Sequence, residues 1–357
     1  MSLRVALVGG PMYDGLYEIL ADHDVEIVVH APHPELNREV AAMVAAGERI
    51  DVLSTHSKYA PSQSEWLHPL DDLLDVSALA PKAVGLCRFG GALYCVPRNV
   101  DVRVLWAGPD AAVPATGAEL VDSETVFGFP GRESGLFGTF FELVVSHGGR
   151  LFDDDLRPVM QTRECHAALG ALVRLAARAP DALTEWHYDE VDDALAAGAV
   201  ALAAAWPGAT AMLRSARGDL EPHPYLAGPA GVRSYAGCHG WGIARTCADR
   251  EGAAALLEVL CSAATHERDA RSGAVCAHVE AFAAVEPLDD VDARRLEITR
   301  ATIADGMITY PQLTDFPAIE DAGWAGIRAA LRGEVAADAA LAALQATAES
   351  VLTGATR

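Results

Sequence analysis

The first 54 residues alternate short apolar runs with stretches of helical spacing, and this alternation is the strongest constraint on the fold. The apolar runs Arg4–Val8, Val25–His30 and Asp51–Ser54 have the length of buried strands. Between them, Tyr13–Ala21 and Glu35–Ala46 carry apolar residues at helical intervals. Strands that alternate with helices form a largely parallel sheet, because each helix crosses back over the sheet before the next strand begins. The start of the chain therefore predicts an α/β fold.

A second unit of the same kind is centred on Gly198–Gly208, an apolar run of small residues that ends at Trp206. Tyr188–Ala197, before the run, has helical spacing and acidic residues in its first turns, where a helix N-terminus favours negative charge. In open α/β sheets, ligands bind outside the carboxyl ends of the strands. An indole at that edge is a candidate ligand platform, and a tryptophan of the core is the alternative.

The composition indicates a large acidic protein that binds neither nucleic acid nor anionic membranes. The chain has 357 residues, enough for two domains with sizeable cores. It carries 27 basic and 50 acidic residues, a formal net charge of −23. Polyanionic partners would be repelled by this charge. A neutral small molecule would not be repelled.

The N-terminus leaves two locations open. No apolar run approaches the ~20 residues that span a bilayer. Arg4 is followed only by the apolar run Val5–Val8 before two glycines, which is too short for a secretion signal. We expect an extracytoplasmic protein, tethered or periplasmic, if a leader has been removed, and a cytoplasmic protein if Met1 is the native start.

The cysteines favour reduced, buried thiols over a disulfide framework. Their number, seven, is odd, and no CxxC spacing occurs. Cys87 and Cys95 flank the Gly90-Gly91 turn and could approach each other across a hairpin. Whether they form a disulfide stays open at this point.

Several segments, taken together and in order, resemble a known family of binding proteins. They are Asp51–Ser54 with Trp66–Leu74 (WLHPLDDLL), Ala92–Trp106 (ALYCVPRNVDVRVLW), Gly138–Pro158, Tyr188–Gly208, Gly237–Ile243 with Ala253–Cys261, and Arg332–Leu352. In these segments the chain resembles the family 1 extracellular solute-binding proteins of ABC importers, and within that family the maltose-binding-like, carbohydrate-binding type. The resemblance covers essentially the whole chain.

The resemblance implies a two-lobed, type II periplasmic-binding-protein-like fold, in which each lobe is a mainly parallel sheet flanked by helices. By position, residues 1–103 with 240–306 would form the first lobe, and residues 104–239 with 307–357 the second. The lobes would be joined by hinge crossings and would hold a small molecule in the cleft between them by hinge closure. The partners implied are a ligand, a carbohydrate by this resemblance, and ABC permease subunits. We expect a monomer without cofactor or metal.

A sugar site needs aromatic faces that stack on C–H patches and planar polar groups that hydrogen-bond hydroxyls. Residues of both kinds lie at predicted strand ends and crossings, and these are the candidate ligand-binding residues: Tyr13, Asp14, His56, Ser57, Asp101, Arg103, Arg132, Glu133, Trp206, His239, Trp241 and Phe316. Asn99 stands beside Asp101 on the first crossing.

Each candidate also has a plain structural interpretation. Tyr13 could pack on its own helix, and Asp101 and Arg103 could form a hinge pair. His239 follows Cys238, but no second ligand stands at metal-ligand spacing. Signatures of hydrolases, nucleotide-binding loops and zinc proteases are absent, so no catalytic residue is predicted.

Three hypotheses result. The first is a non-catalytic carbohydrate receptor of an ABC importer. The second is a cytoplasmic enzyme or metabolite sensor on the same fold, motivated by the cysteines, by the lack of a leader, and by side chains such as His56 and Asp101 that could support acid–base chemistry. The third is a module that binds a peptide or a polyamine, for which the acidic charge would be suitable only if it lined the site.

Overall fold

A computed structural model describes residues 2–9, 14–271 and 273–354. The chain divides into two compact units, each assembled from separate stretches of sequence. The first unit contains Met1–Asp101 and Gly237–Glu286, and the second contains Val102–Ala236 and Pro287–Arg357. The limits predicted above for ligand-binding lobes stay a prediction.

The sheet of the first unit is built on the N-terminal strands. Leu3–Val8 lies between Val25–Ala31 and Val52–His56 and is parallel to both. His239–Ile243 joins Val52–His56 in the antiparallel direction, and Val96–Pro97 joins His239–Ile243 in the same way. Leu3–Val8 is buried along almost all of its length, as expected of a strand covered on both faces.

Short helices surround this sheet. Leu16, Leu20, Leu36 and Val40 are buried and face it from the two N-terminal helices. The helices of the first unit are Asp14–Ala21, His33–Ala45, Ala60–Gln63, Pro81–Leu86, Arg250–Leu260, Ala263–Arg271 and Val279–Ala283, with a 3₁₀ turn at Ser57–Tyr59 and a small hairpin of Arg88–Phe89 with Ala92–Leu93.

The sheet of the second unit has Val104–Ala107 and Leu202–Ala205 at its centre, and these strands are antiparallel. Glu221–His223 pairs with Val104–Ala107 in the antiparallel direction, whereas Phe127–Gly128 is parallel to Leu202–Ala205. The predicted strand within Gly198–Gly208 is thus confirmed as Leu202–Ala205 and is fully buried. Two further pairs are Ala227–Gly228 with Gly231–Val232, and Ser234–Tyr235 with Met307–Ile308.

Helices cover both faces of the second sheet. Glu133–Ser146 is buried along nearly its whole length, because it is apolar on almost every side. Phe137 and Phe140 on this helix belong to the main aromatic core. The other helices are Gly117–Asp122, Arg163–Ala176, Tyr188–Ala196, Thr210–Ala216, Asp290–Ala301, Phe316–Leu331 and Ala337–Gly354, with 3₁₀ turns at Asp181–Glu185 and Pro207–Ala209 and a π-turn at Thr302–Gly306.

The α/β fold predicted from the sequence is confirmed, but the expectation of mainly parallel sheets is wrong in detail. Both sheets are mixed, and only Phe127–Gly128 makes a parallel pair in the second. Parallel pairing follows from a helix that crosses directly from one strand to the next. His239–Ile243 enters the first sheet after the chain has passed through residues 102–236 of the other unit, so no such crossover fixes its direction.

Candidate functional site

In the first unit, strand pairing brings two predicted histidines together. His56 ends the strand Val52–His56 and lies opposite His239, the first residue of His239–Ile243. Their ring centroids are 5.1 Å apart and the rings are almost perpendicular. Gly237 makes room for them, because a Cβ at this position would lie 2.2 Å from Nε2 of His56.

Asp101 and Asn99 complete a polar cluster around His239. The Asn99 amide donates to both carboxylate oxygens of Asp101, at 3.2 and 3.0 Å. The backbone nitrogen of His239 donates to Oδ1 of Asn99 at 2.8 Å, and Nε2 of His239 lies 3.6 Å from Oδ2 of Asp101. We call His56, Asn99, Asp101 and His239 the polar cluster.

Burial changes the protonation of Asp101. Its carboxyl group is almost excluded from solvent, and this desolvation raises its pKa to about 7, although the Arg98 charge and the Asn99 hydrogen bond oppose the shift. Near neutral pH the carboxyl group can therefore donate as well as accept a hydrogen bond. Alternating donors and acceptors are what a polyhydroxylated ligand requires.

The remaining candidates of the first unit are less accessible to a ligand or lie outside the described side chains. Tyr13 lies outside the described residues, and of Asp14 only its place at the start of Asp14–Ala21 is described. Ser57 is nearly buried, and its hydroxyl accepts from the backbone of Cys238 at 3.2 Å. Trp241 is completely buried within the sheet, so its indole presents no face to a ligand in this structure.

In the second unit, the candidate Arg103 lies next to the aromatic candidate Trp206. Its guanidinium is buried and pairs with Glu142, with 3.2 Å between Nε and Oε1 and a second contact between Nη2 and Oε2. Both terminal nitrogens also lie 3.3 Å from the hydroxyl oxygen of Thr139. Oε1 of Glu142 accepts from the backbone nitrogen of Tyr235 at 2.7 Å. Arg103 is thus fixed in position rather than free to reach a ligand.

Trp206 stands above this ion pair at the carboxyl end of Leu202–Ala205. It is half-buried, and Cζ of Arg103 lies 5.7 Å from the centre of its ring. Tyr188 and Tyr235 contact the indole edge to face, with centroids 5.7 and 6.1 Å away. Tyr310 packs on Tyr235 at 4.3 Å. We call Tyr188, Trp206, Tyr235 and Tyr310 the aromatic platform.

Asp192 lies one helical turn after Tyr188, on the same face of Tyr188–Ala196. It is buried and makes no salt bridge within the part of the chain that the structure describes. Desolvation raises its pKa to about 8, assisted by the charges of Asp189 and Asp193 and opposed by that of Arg103. At neutral pH it is therefore a hydrogen-bond donor beside the aromatic platform.

Arg132 and Glu133 form a surface group at the start of the helix Glu133–Ser146. Arg132 pairs with Glu133 and, at 3.1 Å, with Glu190, and its Nε donates to the backbone oxygen of Glu185 at 2.7 Å. Glu133 has a φ of 53°, a left-handed conformation that is uncommon for a residue with a side chain. Phe316, the last candidate, is buried and packs on Tyr310 at 4.4 Å and on Phe137 at 6.1 Å.

The structure thus joins His56, Asp101 and His239 in one cluster, and Arg103 with Trp206 in another. Trp241 and Phe316 lie in the cores. The sequence alone did not indicate Tyr188, Asp192, Tyr235 or Tyr310. Only the first two left a signal, a tyrosine and an acid spaced by four residues at the start of a helix that precedes the strand of Trp206.

The structure also bears on metal binding, membrane insertion and the state of the thiols. Among residues 2–9, 14–271 and 273–354, no group of three His, Cys, Asp or Glu side chains is placed to hold a metal ion. The helices of these ranges are all too short or too polar to cross a membrane. Every cysteine is a free thiol, Cys87 and Cys95 included, and Sγ of Cys87 lies 3.8 Å from Sγ of Cys238.

Comparisons with known proteins show the family and the fold of the chain. The family model described as "Bacterial extracellular solute-binding protein" matches residues 17–271. A sequence comparison with curated proteins gives no match. Among solved structures, maltose-bound MalE3 of T. maritima is similar with a TM-score of 0.86 at 20% identity, over 98% of this chain and 99% of that one.

Two further structures are similar over 99% of both chains. The GacH receptor of Streptomyces glaucescens, solved unliganded and in complex with acarbose, has a TM-score of 0.85 at 18% identity. The ABC substrate-binding protein Lmo0181 of Listeria monocytogenes, in complex with cycloalternan, has a TM-score of 0.83 at 15% identity. At these identities the likeness concerns the fold, which is the two-lobed periplasmic-binding-protein-like fold.

Proposed function

Because the chain belongs to the bacterial extracellular solute-binding proteins, we propose that it captures a carbohydrate and delivers it to the permease of an ABC importer. The observation that carries the carbohydrate assignment is the half-buried indole of Trp206, held between Tyr188 and Tyr235 above the Arg103–Glu142 pair. A fixed aromatic face of this kind stacks on the C–H patches of a sugar ring. MalE3, GacH and Lmo0181 were solved with maltose, acarbose and cycloalternan, which supports the same ligand class.

Each unit taken by itself carries groups of the kinds that sugar sites use. In the second unit, the aromatic platform offers a stacking face, and Asp192 offers a hydrogen-bond donor. In the first unit, Asn99, Asp101 and His239 offer planar polar groups.

The family description supports an extracytoplasmic place of action and a permease as partner. We infer that binding, without chemical conversion, is the whole role. The second candidate, an enzyme on the same fold, is favoured by a single observation, the 3.6 Å approach of His239 to a carboxyl group whose pKa is about 7. Acid–base catalysis requires groups of this kind.

A thermal-shift screen with mono-, di- and oligosaccharides tests the proposal. A bound sugar at a hundred times its Kd should stabilise the protein by about 2.7 kcal/mol, because ligand binds only the folded state. Organic acids and polyamines form the control panel. If every sugar fails while an anionic metabolite or a polyamine stabilises the protein, the carbohydrate assignment is wrong.

The same samples discriminate between receptor and enzyme. After long incubation with the stabilising sugar, chromatography should recover the sugar unchanged. Conversion that disappears in Asp101→Asn and His239→Gln variants would instead establish the enzyme.

A further inference from the structure

The second unit contains a cavity of about 380 Å³, whose lining includes Thr139, the hydrogen-bond partner of Arg103. It lies among the helices Gly117–Asp122, Glu133–Ser146 and Arg163–Ala176, and its volume is within the ~300–1,000 Å³ range of small-molecule pockets. Most of its lining is apolar, with Leu120 and Leu143 as examples. Apolar walls offer water few hydrogen bonds. The cavity therefore suits a molecule with an apolar body.

Gly170 keeps this space open. It lies in the interior of Arg163–Ala176, where glycine costs roughly 1 kcal/mol relative to alanine. A Cβ added at Gly170 would meet no atom within 4 Å, so packing does not require the glycine. Its neighbours along the cavity wall, Ala167 and Ala171, are also small. Ala167 is exposed and Gly170 is partly exposed, so this wall lies at the mouth of the cavity.

Two nitrogen-bearing side chains give the cavity a polar end. Nδ1 of His147 donates to the backbone oxygen of Leu143 at 2.7 Å, so Nε2 of the neutral ring can only accept a hydrogen bond. Arg174 lies 3.5 Å from Asp122, and both side chains of this pair are mostly exposed. Exposed pairs of this kind contribute little and exchange partners readily. Arg174 can therefore turn to an anion at the cavity.

We propose that the cavity is a second binding site, for a small carboxylate with an apolar body. The body lies among the leucines and against Gly170, and the carboxylate lies at Arg174. Arginine suits this role because its planar fork matches the two oxygens of a carboxylate.

Naphthoate and its uncharged methyl ester are the probes, titrated into the full chain with methyl NMR detection. Naphthoate should shift the methyl signals of Leu120, Leu143 and Leu226 in a saturable manner and bind more tightly than the ester. Gly170→Phe, which fills the cavity, should weaken naphthoate binding by about ten-fold or more. Arg174→Gln should weaken naphthoate but not the ester.

The matched control is Gly85→Phe. Gly85 is likewise a helical glycine with open space at its Cβ, but it lies in the first unit, so naphthoate binding should not change. Gly170→Leu replaces Gly170→Phe if circular dichroism shows that the larger side chain prevents folding.

The proposal is overturned if naphthoate causes no saturable shift, if the shifts lie elsewhere, if the ester binds equally well, or if folded cavity-filling variants bind naphthoate as the original chain does. No carbohydrate is used, so the result is independent of the transport role.

Discussion

Trp206 is the residue on which the carbohydrate assignment depends most directly. Its indole is half-buried, so one part packs on the second unit and the rest is available for a ligand. Trp206→Ala should weaken the affinity for the sugar found in the screen by ~1–3 kcal/mol. The free energy of unfolding without ligand should fall by less than the ~3–5 kcal/mol typical of a core aromatic residue.

Isothermal titration calorimetry and chemical denaturation measure the two quantities. Trp324→Ala is the control, because Trp324 is also a partly buried tryptophan of the second unit but contacts the core from Phe316–Leu331. It should lower stability and leave affinity unchanged. Equal affinity losses in both variants would contradict the stacking role of Trp206.

Asp192 should make the stability of the protein depend on pH. Its pKa is about 8 in the folded state and near the ordinary aspartate value of 3.8 in the unfolded chain, so between these values the folded state binds more protons. Stability then falls as pH rises from about 4 to 8, with a slope of up to ~1.4 kcal/mol per pH unit from this group. Asp192→Asn should remove that contribution.

Urea denaturation at several pH values gives the slope. The Asn variant should match the original chain below pH 4 and exceed its stability at pH 8. Asp181→Asn, a substitution at an exposed carboxylate of the same unit, is the control and should leave the slope unchanged. An unaltered slope in Asp192→Asn would mean that Asp192 is ionised in the folded protein.

At the level of elements, the helix Glu133–Ser146 begins with a strained residue. Glu133 has a φ of 53°, and left-handed backbone costs a residue with a Cβ roughly 1–2 kcal/mol. Glu133→Gly and Glu133→Ala both remove the pair with Arg132, but only glycine relieves the strain. The glycine variant should therefore be more stable than the alanine variant, by about 1 kcal/mol. Thermal unfolding of the two proteins checks this, and a more stable alanine variant would refute the strain.

Elements differ in how far the sequence predicts them. The strands Leu3–Val8 and Leu202–Ala205 were predictable because a buried strand needs a continuous apolar run. The antiparallel direction of His239–Ile243 was not predictable, because it depends on where the chain re-enters the first unit after residues 102–236. The contact of His56 with His239 depends on that same return, so periodicity near either histidine carries no sign of it.

At the scale of the whole molecule, the candidate residues are also hard to predict from sequence, because their surroundings depend on distant segments of the chain. The place of Trp206 at a strand end was predictable, because an apolar run precedes it. Its contact with a ligand stays a prediction, based on the rule that α/β proteins bind ligands at strand ends. Trp241 has the same side chain and also lies on a predicted crossing, yet it faces the interior. Tyr310 reaches the aromatic platform from a segment far along the chain. Which aromatic side chains face a ligand is decided by packing between distant segments.

The net charge of −23 gives a last prediction for the whole molecule. If the ligand is a neutral sugar, its Kd should change less than about two-fold between low and high salt, because an uncharged ligand has no attraction for salt to screen. Two buried acids, Asp101 and Asp192, have pKa values of about 7 and about 8, so near neutral pH they add less negative charge than their number suggests.

Calorimetric titrations with the stabilising ligand, at low and at high sodium chloride, measure this dependence. Spermidine is the control ligand, since any binding of a cation to a chain of this charge should weaken steeply as salt rises. A strong loss of affinity with salt for the stabilising ligand itself would contradict a neutral sugar and favour the polyamine hypothesis. Constant affinity would point to stacking and uncharged hydrogen bonds as the source of binding.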